Sequence, residues 1–194
     1  MIRAWPGLVA RPDPGLIEDC LVLVEHLGDA RTVVDVGSGG GLPGLPLKIA
    51  RPELELTLIE ADQAKAAFLV HACATLGLKG VQVVARRAEE AGHDPRLREA
   101  FDVAVARALA PMPVLAELCL GLVRVGGRLL AQKTGSENNE SAVHAIEVMG
   151  GSIAAVHATP SVSRRAGTVV VIDKIHPTPK AYPRRPGVPN RKPL

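Results

Sequence analysis

Val33-Val34-Asp35-Val36-Gly37-Ser38-Gly39-Gly40-Gly41-Leu42-Pro43-Gly44 decides how this chain folds. Val33 to Val36 has strand character, and five glycines follow over the next eight positions. Leu45 to Ala50 is then an apolar run, with Pro46 where a first helical turn accepts it. The order is strand, tight loop, helix. A loop with so little side chain lets backbone N–H groups come close to a ligand. The helix behind it is expected to aim its positive N-terminus at the same place. The stretch predicts a nucleotide-type pocket.

The same alternation runs outward in both directions. Before it, Gly15 to Leu27 carries apolar residues at near-helical spacing, and Gly28 can close that helix. Residues 1–14 form a Pro- and Gly-punctuated, extended lead-in. After it, Leu54 to Ile59 predicts a second strand ending at Glu60, and Asp62 an N-cap for a helix from Gln63 to Leu76. Val81 to Ala85 and Phe101 to Ala106 predict the third and fourth strands, with a polar loop over Ala91 to Arg96. A helix follows from Pro113 to Val123. Gly126-Gly127 is expected to turn the chain into a fifth strand, Arg128 to Gln132. A helix from Ser141 to Met149 and strands Ile153 to Ala158 and Thr168 to Ile172 complete the pattern. No helix fits between those two strands, so they are expected to pair antiparallel. Alternating strands and helices predict one α/β domain over residues 1–194, a doubly wound sheet that is mostly parallel.

Composition agrees. Hydrophobic residues make up 47% and aromatics only 2%. Such a core is built from Val, Leu, Ile and Ala, which suits a parallel sheet covered on both faces. It argues against a protein that grips bases mainly by aromatic stacking. Cys20, Cys73 and Cys119 are scattered through apolar runs, as reduced core thiols of a cytoplasmic protein are. No metal-ligand spacing is visible. Neither a secretory leader nor a membrane-spanning run is recognisable, so no membrane partner is expected. The charge is uneven. From Lys174 to Leu194 there are six basic residues and no acid, which leaves 17 basic against 20 acidic residues in the rest. A mildly acidic body with a basic, Pro-rich tail, expected to be extended, suggests a polyanion partner.

Several residues can carry chemistry. Gly39-Gly40-Gly41-Leu42-Pro43-Gly44 satisfies the G-x-G-x-x-G dinucleotide fingerprint, but a lone match is weak, and its frame starts two residues beyond the first loop glycine. Asp35-Val36-Gly37-Ser38-Gly39, an Asp-x-Gly-x-Gly stretch at the end of the first strand, instead resembles the entry motif of S-adenosylmethionine-dependent methyltransferases. Glu60, at the end of strand two, can accept both ribose hydroxyls of either cofactor. Ala88 and Glu89 follow strand three, where this fold flanks an adenine. Arg107 and Lys133 each follow an apolar strand on the ligand-binding edge, and suit a cofactor carboxylate or a substrate phosphate. As structural residues, the same side chains are a solvated helix-capping acid, a first-turn acid and exposed strand-end cations. None of the six histidines pairs with a nucleophile, and Gly-Ser-Gly lacks a hydrolase elbow.

Taken together, these residues resemble the bacterial 16S ribosomal RNA guanine-N7 methyltransferases, formerly called glucose-inhibited division protein B. The resemblance rests on Asp35 to Leu47 with its Leu42-Pro43-Gly44, on Ile49-Ala50-Arg51-Pro52, and on Arg86-Arg87-Ala88-Glu89-Glu90. It continues in Ala106-Arg107-Ala108, Gly126 to Lys133, Tyr182 to Pro189 and Lys192-Pro193-Leu194, in the family's order from about Leu16 onward. It implies S-adenosylmethionine contacts from Gly37, Leu42, Ala88, Glu89 and Arg107, to which the reading of the residues themselves adds Gly39 and Glu60. It also implies methyl transfer to guanine N7 in the 530 loop of small-subunit ribosomal RNA, naked or assembled. The protein is expected to act as a monomer. Lys133, Arg184 and Arg185 are the expected RNA contacts. Three features depart from the family. Trp5 to Ala10 stands where a longer helical segment is usual, Ile17-Glu18-Asp19-Cys20 only loosely follows an acid-containing pattern, and Leu109 replaces an aromatic.

The reaction needs no catalytic side chain. Guanine N7 has a free lone pair and no proton to lose, so placement and exclusion of water suffice. A small-molecule methyltransferase, which has no use for the basic tail, is one alternative. A NAD-dependent dehydrogenase is another. An RNA-binding assembly protein with a degenerate cofactor pocket is the third, from a different class.

Overall fold

The computed structural model describes residue 8 and residues 13–134, 139–161 and 164–194. Seven strands form one sheet: β1 (Thr32–Val36), β2 (Glu55–Ile59), β3 (Val81–Val84), β4 (Phe101–Arg107), β5 (Val123–Thr134), β6 (Gly151–Ala158) and β7 (Gly167–Lys174). Their order is β3-β2-β1-β4-β5-β7-β6. The first five are mutually parallel, β7 runs antiparallel to β5, and β6 antiparallel to β7.

Strand alternation builds a core on each face. Val34, Val36, Ala104, Ala106, Leu129, Ala131, Val170 and Ile172 face one way. There they pack on α5 (Met112–Leu120) and α6 (Val143–Val148). Val33, Leu56, Leu58, Val103, Val105, Leu130, Val169 and Val171 face the other way. They meet Leu45 and Leu47 of α2 (Gly44–Ala50), Phe68, Leu69 and Ala72 of α3 (Gln63–Thr75), and Leu23 and Leu27 after α1 (Gly15–Leu21). The central strands are buried on both faces, hence their unbroken Val and Ala runs. Asp62 caps α3 by accepting the Ala64 and Lys65 N–H groups at 2.9 and 3.1 Å. Phe68, buried at the centre of that helix, anchors it, and truncating it to Ala would cost about 3–5 kcal/mol.

Some elements differ from the sequence reading. The first helix stops at Leu21 and is followed by a short 3-10 turn, Val24–His26. Gly126-Gly127 lies inside β5, where pairing with β4 shifts register between Phe101 and Val103. The glycine pair thus forms an irregularity in a strand rather than a turn before one, because the Asp102 carbonyl passes where a Gly127 side chain would stand. The residues read as a polar loop begin inside a one-turn helix, α4 (Ala88–Ala91). The tail is not extended throughout. It contains a helical turn, α7 (Val188–Arg191), and folds back on the body. Arg98 makes this possible, donating to the carbonyls of Gly92, Tyr182 and Thr178 at 2.8, 2.8 and 2.7 Å. The lead-in, apart from Leu8, Asp13 and Pro14, lies outside the described residues. No helix among the described residues is long and apolar enough to cross a membrane.

Candidate functional site

The carboxyl ends of β1, β2, β3 and β4 open onto one cavity of about 730 Å³. Its floor is the glycine loop. Gly37 and Gly41 have φ values of +72° and +83°, and a side chain at Gly37 would run into Leu109. Only glycine takes this path without strain. Gly44 is needed for a different reason. A Cβ there would stand 2.7 Å from both Asp35 Oδ2 and a Leu58 methyl.

Asp35 explains that contact. Its Oδ2 accepts the Gly44 N–H at 2.9 Å, deep in the protein. The start of α2 is therefore closed by the chain's own carboxylate, and the cavity is lined by Gly37 to Gly40 and Leu42 instead. This corrects the expectation that the helix N-terminus faces the ligand. Burial pushes the Asp35 carboxyl up to about 7, with the charge of Glu60 adding to the effect against the Gly44 hydrogen bond.

Glu60 closes the loop from the side. Its Oε2 accepts the Gly39 N–H at 2.8 Å and its Oε1 the Asp62 N–H at 2.8 Å. Each carboxylate oxygen has a second lone pair, so both can still accept from a hydroxyl in the cavity. Ala88 and Glu89 line the opposite wall at the start of α4. Glu89 Oε1 also accepts the Gly187 N–H of the tail at 2.9 Å, and Asn190 of the tail reaches the same cavity.

Arg107 ends β4 on the third side. Its Nε lies 3.2 Å from Asp19 Oδ2, in a pair that is buried on the acid side. The guanidinium has further N–H groups for a ligand. Next to it, Ala108 takes a left-handed φ of +52°, a costly conformation for a residue with a side chain.

All seven residues expected at the cofactor, Gly37, Gly39, Leu42, Glu60, Ala88, Glu89 and Arg107, thus line one cavity. The three expected RNA contacts do not stand together. Lys133 lines a smaller cavity of about 150 Å³ behind Arg107, donates to the Ala110 carbonyl at 2.7 Å, and has its ammonium pKa lowered by burial. Arg184 is committed inside the protein. Its backbone N–H and guanidinium both bind the fully buried Glu117, with Nη2 to Oε2 at 2.6 Å. The tail's first arginine therefore holds the tail down. Arg185 is exposed.

Sequence reasoning missed Leu8, Leu16, Lys65, Leu109, Ala110 and Asn190 at the large cavity. It also missed Gln132 and Arg164 at the small one, and saw Asp19 there only as part of a loose pattern. Asp19 carried a usable signal, since an acid amid Ile17, Cys20 and Leu21 needs a buried partner. No group of His, Cys, Asp and Glu among the described residues is placed to hold a metal ion.

Comparison with known proteins agrees with this geometry. Residues 14–166 match the model of the GidB family, described as rRNA small subunit methyltransferase G. The chain is 45% identical over 177 residues to the ribosomal RNA small subunit methyltransferase G of Moorella thermoacetica, covering 90% of this chain and 74% of that protein. It is 48% identical over 191 residues to the protein of the same name from a Roseiflexus species, covering 97% and 80%. The fold also superposes on a Burkholderia thailandensis 1,6-didemethyltoxoflavin-N1-methyltransferase solved with S-adenosylhomocysteine. The TM-score is 0.63 at 16% identity, over 84% of this chain and 79% of that one. The chain belongs to the GidB family, the family of rRNA small subunit methyltransferase G.

Proposed function

We propose that this protein methylates a guanine of 16S ribosomal RNA with S-adenosylmethionine, at N7 of a residue in the 530 loop, and does so as a cytoplasmic monomer acting on the small subunit or its RNA. The observation that carries the reading is the cavity formed by the glycine loop, Glu60, the start of α4 and Arg107. Its donor set fits the cofactor. Glu60 keeps acceptor capacity for two vicinal ribose hydroxyls. Ile59, Ala61, Ala88 and Leu118 supply an apolar slot for adenine. Arg107 offers guanidinium N–H groups to a carboxylate. When bound, S-adenosylmethionine supplies an electrophilic methyl group.

This chain's residues then position and desolvate. Gly37 to Gly40 let the backbone approach closely, and Glu60 fixes that loop through the Gly39 N–H. Leu109 and Ala110 add apolar wall to the cavity beside Arg107. No side chain needs to take a proton, because guanine N7 carries none. The catalytic contribution is alignment of nucleophile and methyl group in a dry site. Arg185 on the exposed side of the tail serves RNA phosphate. Arg184 keeps the tail in place for it.

Labelled S-adenosylmethionine, incubated with naked 16S ribosomal RNA or with small subunits, followed by mapping of the modified base, tests the reading. A single guanine labelled at N7 is expected. A folded protein that labels no guanine in either substrate would overturn it. Transfer of label to a small molecule and to no RNA would point to a small-molecule substrate instead.

A further inference from the structure

The tail is fastened to the body at three places. Arg98 donates to the carbonyls of Thr178 and Tyr182. Arg184 pairs with the buried Glu117 of α5. The Gly187 N–H donates to Glu89 Oε1 at 2.9 Å, in the first turn of α4. Gly187 takes a φ of +80° and turns the chain into α7, where Pro189 is buried and Asn190 is exposed. Asn190 lines the large cavity. An extended basic arm meets a polyanion without being fastened, and ordering it costs entropy. What the fastening fixes is the position of Asn190.

The other polar side chains of the cavity each work in one sense. Lys65, Arg86, Arg87 and Arg107 only donate, and the carboxylates of Glu60 and Glu89 only accept. One Glu89 oxygen is already engaged by Gly187. The Ser38 hydroxyl is buried and donates to the Asp35 carbonyl at 2.9 Å. Asn190 differs from all of these. Its planar amide carries an acceptor oxygen beside two N–H donors. Among the described residues, no hydrogen bond or ion pair engages that side chain. It is exposed to the cavity and free to meet a ligand.

An amide of this kind pairs with an edge that sets a donor next to an acceptor. A carboxylate or a phosphate accepts only, and uses half of it. Adenine has its 6-amino group beside a ring nitrogen, the edge that Asn and Gln grip with both amide atoms in nucleic acids. The position agrees with the chemistry. Gly187, three residues before Asn190, is held against Glu89. The amide therefore enters the cavity from the side of α4, where Ala88 and Leu118 form part of the apolar slot for adenine. Arg107, at the end of β4, is left for the cofactor carboxylate.

We infer that the folded tail is a wall of the cofactor site and that the Asn190 amide reads the amino edge of the adenine. Asn190 Oδ1 accepts from the 6-amino group, and Nδ2 donates to the ring nitrogen beside it. This rests on the S-adenosylmethionine reading above and deepens it, because it makes the C-terminal residues part of the cofactor site as well as of the RNA surface. The bound cofactor fastens the tail at a fourth place.

Calorimetric titration tests this with S-adenosylhomocysteine and with its analogue that carries hydrogen in place of the 6-amino group. The wild-type protein should bind the analogue about threefold to tenfold more weakly. Asn190→Ala changes an exposed residue and should melt like the wild type. It should bind S-adenosylhomocysteine about tenfold more weakly and hold the two ligands nearly alike. N190A that binds S-adenosylhomocysteine as tightly as the wild type, or that weakens both ligands equally and keeps the wild-type ratio, would overturn the inference. A second readout follows the tail itself. The Arg191 and Lys192 N–H groups close α7 on the carbonyls of Gly187 and Val188 at 3.3 and 3.0 Å. Their hydrogen exchange should slow when S-adenosylhomocysteine is added to the wild type, and stay unchanged in N190A. Exchange that the ligand leaves unchanged in the wild type counts against the tail as a wall of the site. Wild-type protein that binds no S-adenosylhomocysteine removes the methyl-transfer reading together with the inference. Tight binding that N190A leaves untouched removes the inference alone.

Discussion

Glu60 Oε2 accepts the Gly39 N–H while Glu60 Oε1 accepts the Asp62 N–H, both at 2.8 Å, so one carboxylate at the end of β2 ties the glycine loop after β1 to the cap of α3. Glu60→Gln places an amide nitrogen against one of those two N–H groups. One hydrogen bond is lost and two donors face each other, a cost of about 1–3 kcal/mol. Since the loop shapes the cofactor cavity, S-adenosylmethionine should bind about tenfold to hundredfold more weakly by calorimetric titration, with the fold retained. An unchanged dissociation constant would show that the loop holds its shape without Glu60.

The buried Asp35 gives the protein a pH signature. Its Oδ1 has no hydrogen-bond partner among the described residues, and burial raises the group to about 7. In the unfolded chain an Asp titrates near 3.9. Between about pH 4 and 7 the folded protein therefore binds more protons at this site than the unfolded one. The stabilisation is fully present below the unfolded value and is lost as pH rises through the folded value. Asp35→Asn still accepts from the Gly44 N–H and does not ionise. Thermal melts from pH 5 to 8 should show a flatter dependence for D35N than for the wild type, and a higher melting temperature above pH 7. Parallel curves would mean that Asp35 is ionised throughout.

How far these features were legible depends on whether their partners are near in sequence. Asp35, Glu60 and Asp62 sit at strand ends or just before a helix, and each works on backbone a few residues away or on the adjacent parallel strand. Pattern and turn chemistry are enough to place them. The antiparallel β6–β7 pair was readable for a similar reason, since no helix fits in between. Arg184 was not readable, because its partner Glu117 is 67 residues away, the one charged residue on an otherwise apolar helix. Gln132 and Asp19 meet across 113 residues, and although an acid amid apolar neighbours marks Asp19 as needing a buried partner, nothing local says which residue that partner is. A charge count sees a basic tail and infers a polyanion. It does not see that one of those charges neutralises an acid inside the protein.

That buried pair makes the tail part of the fold. Arg184→Ala would leave Glu117 charged and fully buried without its partner, at a cost of about 3–5 kcal/mol. In a domain of this size, 1 kcal/mol corresponds to about 2–4 °C, so melting should fall by roughly 6–20 °C. Glu117→Gln combined with R184A removes the stranded charge and should recover part of the loss. A single R184A variant that melts like the wild type would show that Glu117 takes up a proton or another partner at little cost.

The adjacent arginines should therefore separate in function. Arg185 is exposed and Arg184 has its fork filled by Glu117. If Arg185 contacts one RNA phosphate, Arg185→Ala should leave the melting temperature within about 1 °C of the wild type, as exposed substitutions do. RNA binding should weaken, and the slope of log K against log salt should become shallower by about 0.7–0.9, the share of a single phosphate contact. Arg184→Ala, measured well below its own melting temperature, should keep the wild-type slope. Binding titrations at four or five salt concentrations decide between them. A slope changed by R184A and not by R185A would mean that the Glu117 pair opens when RNA binds, and would return Arg184 to the RNA surface.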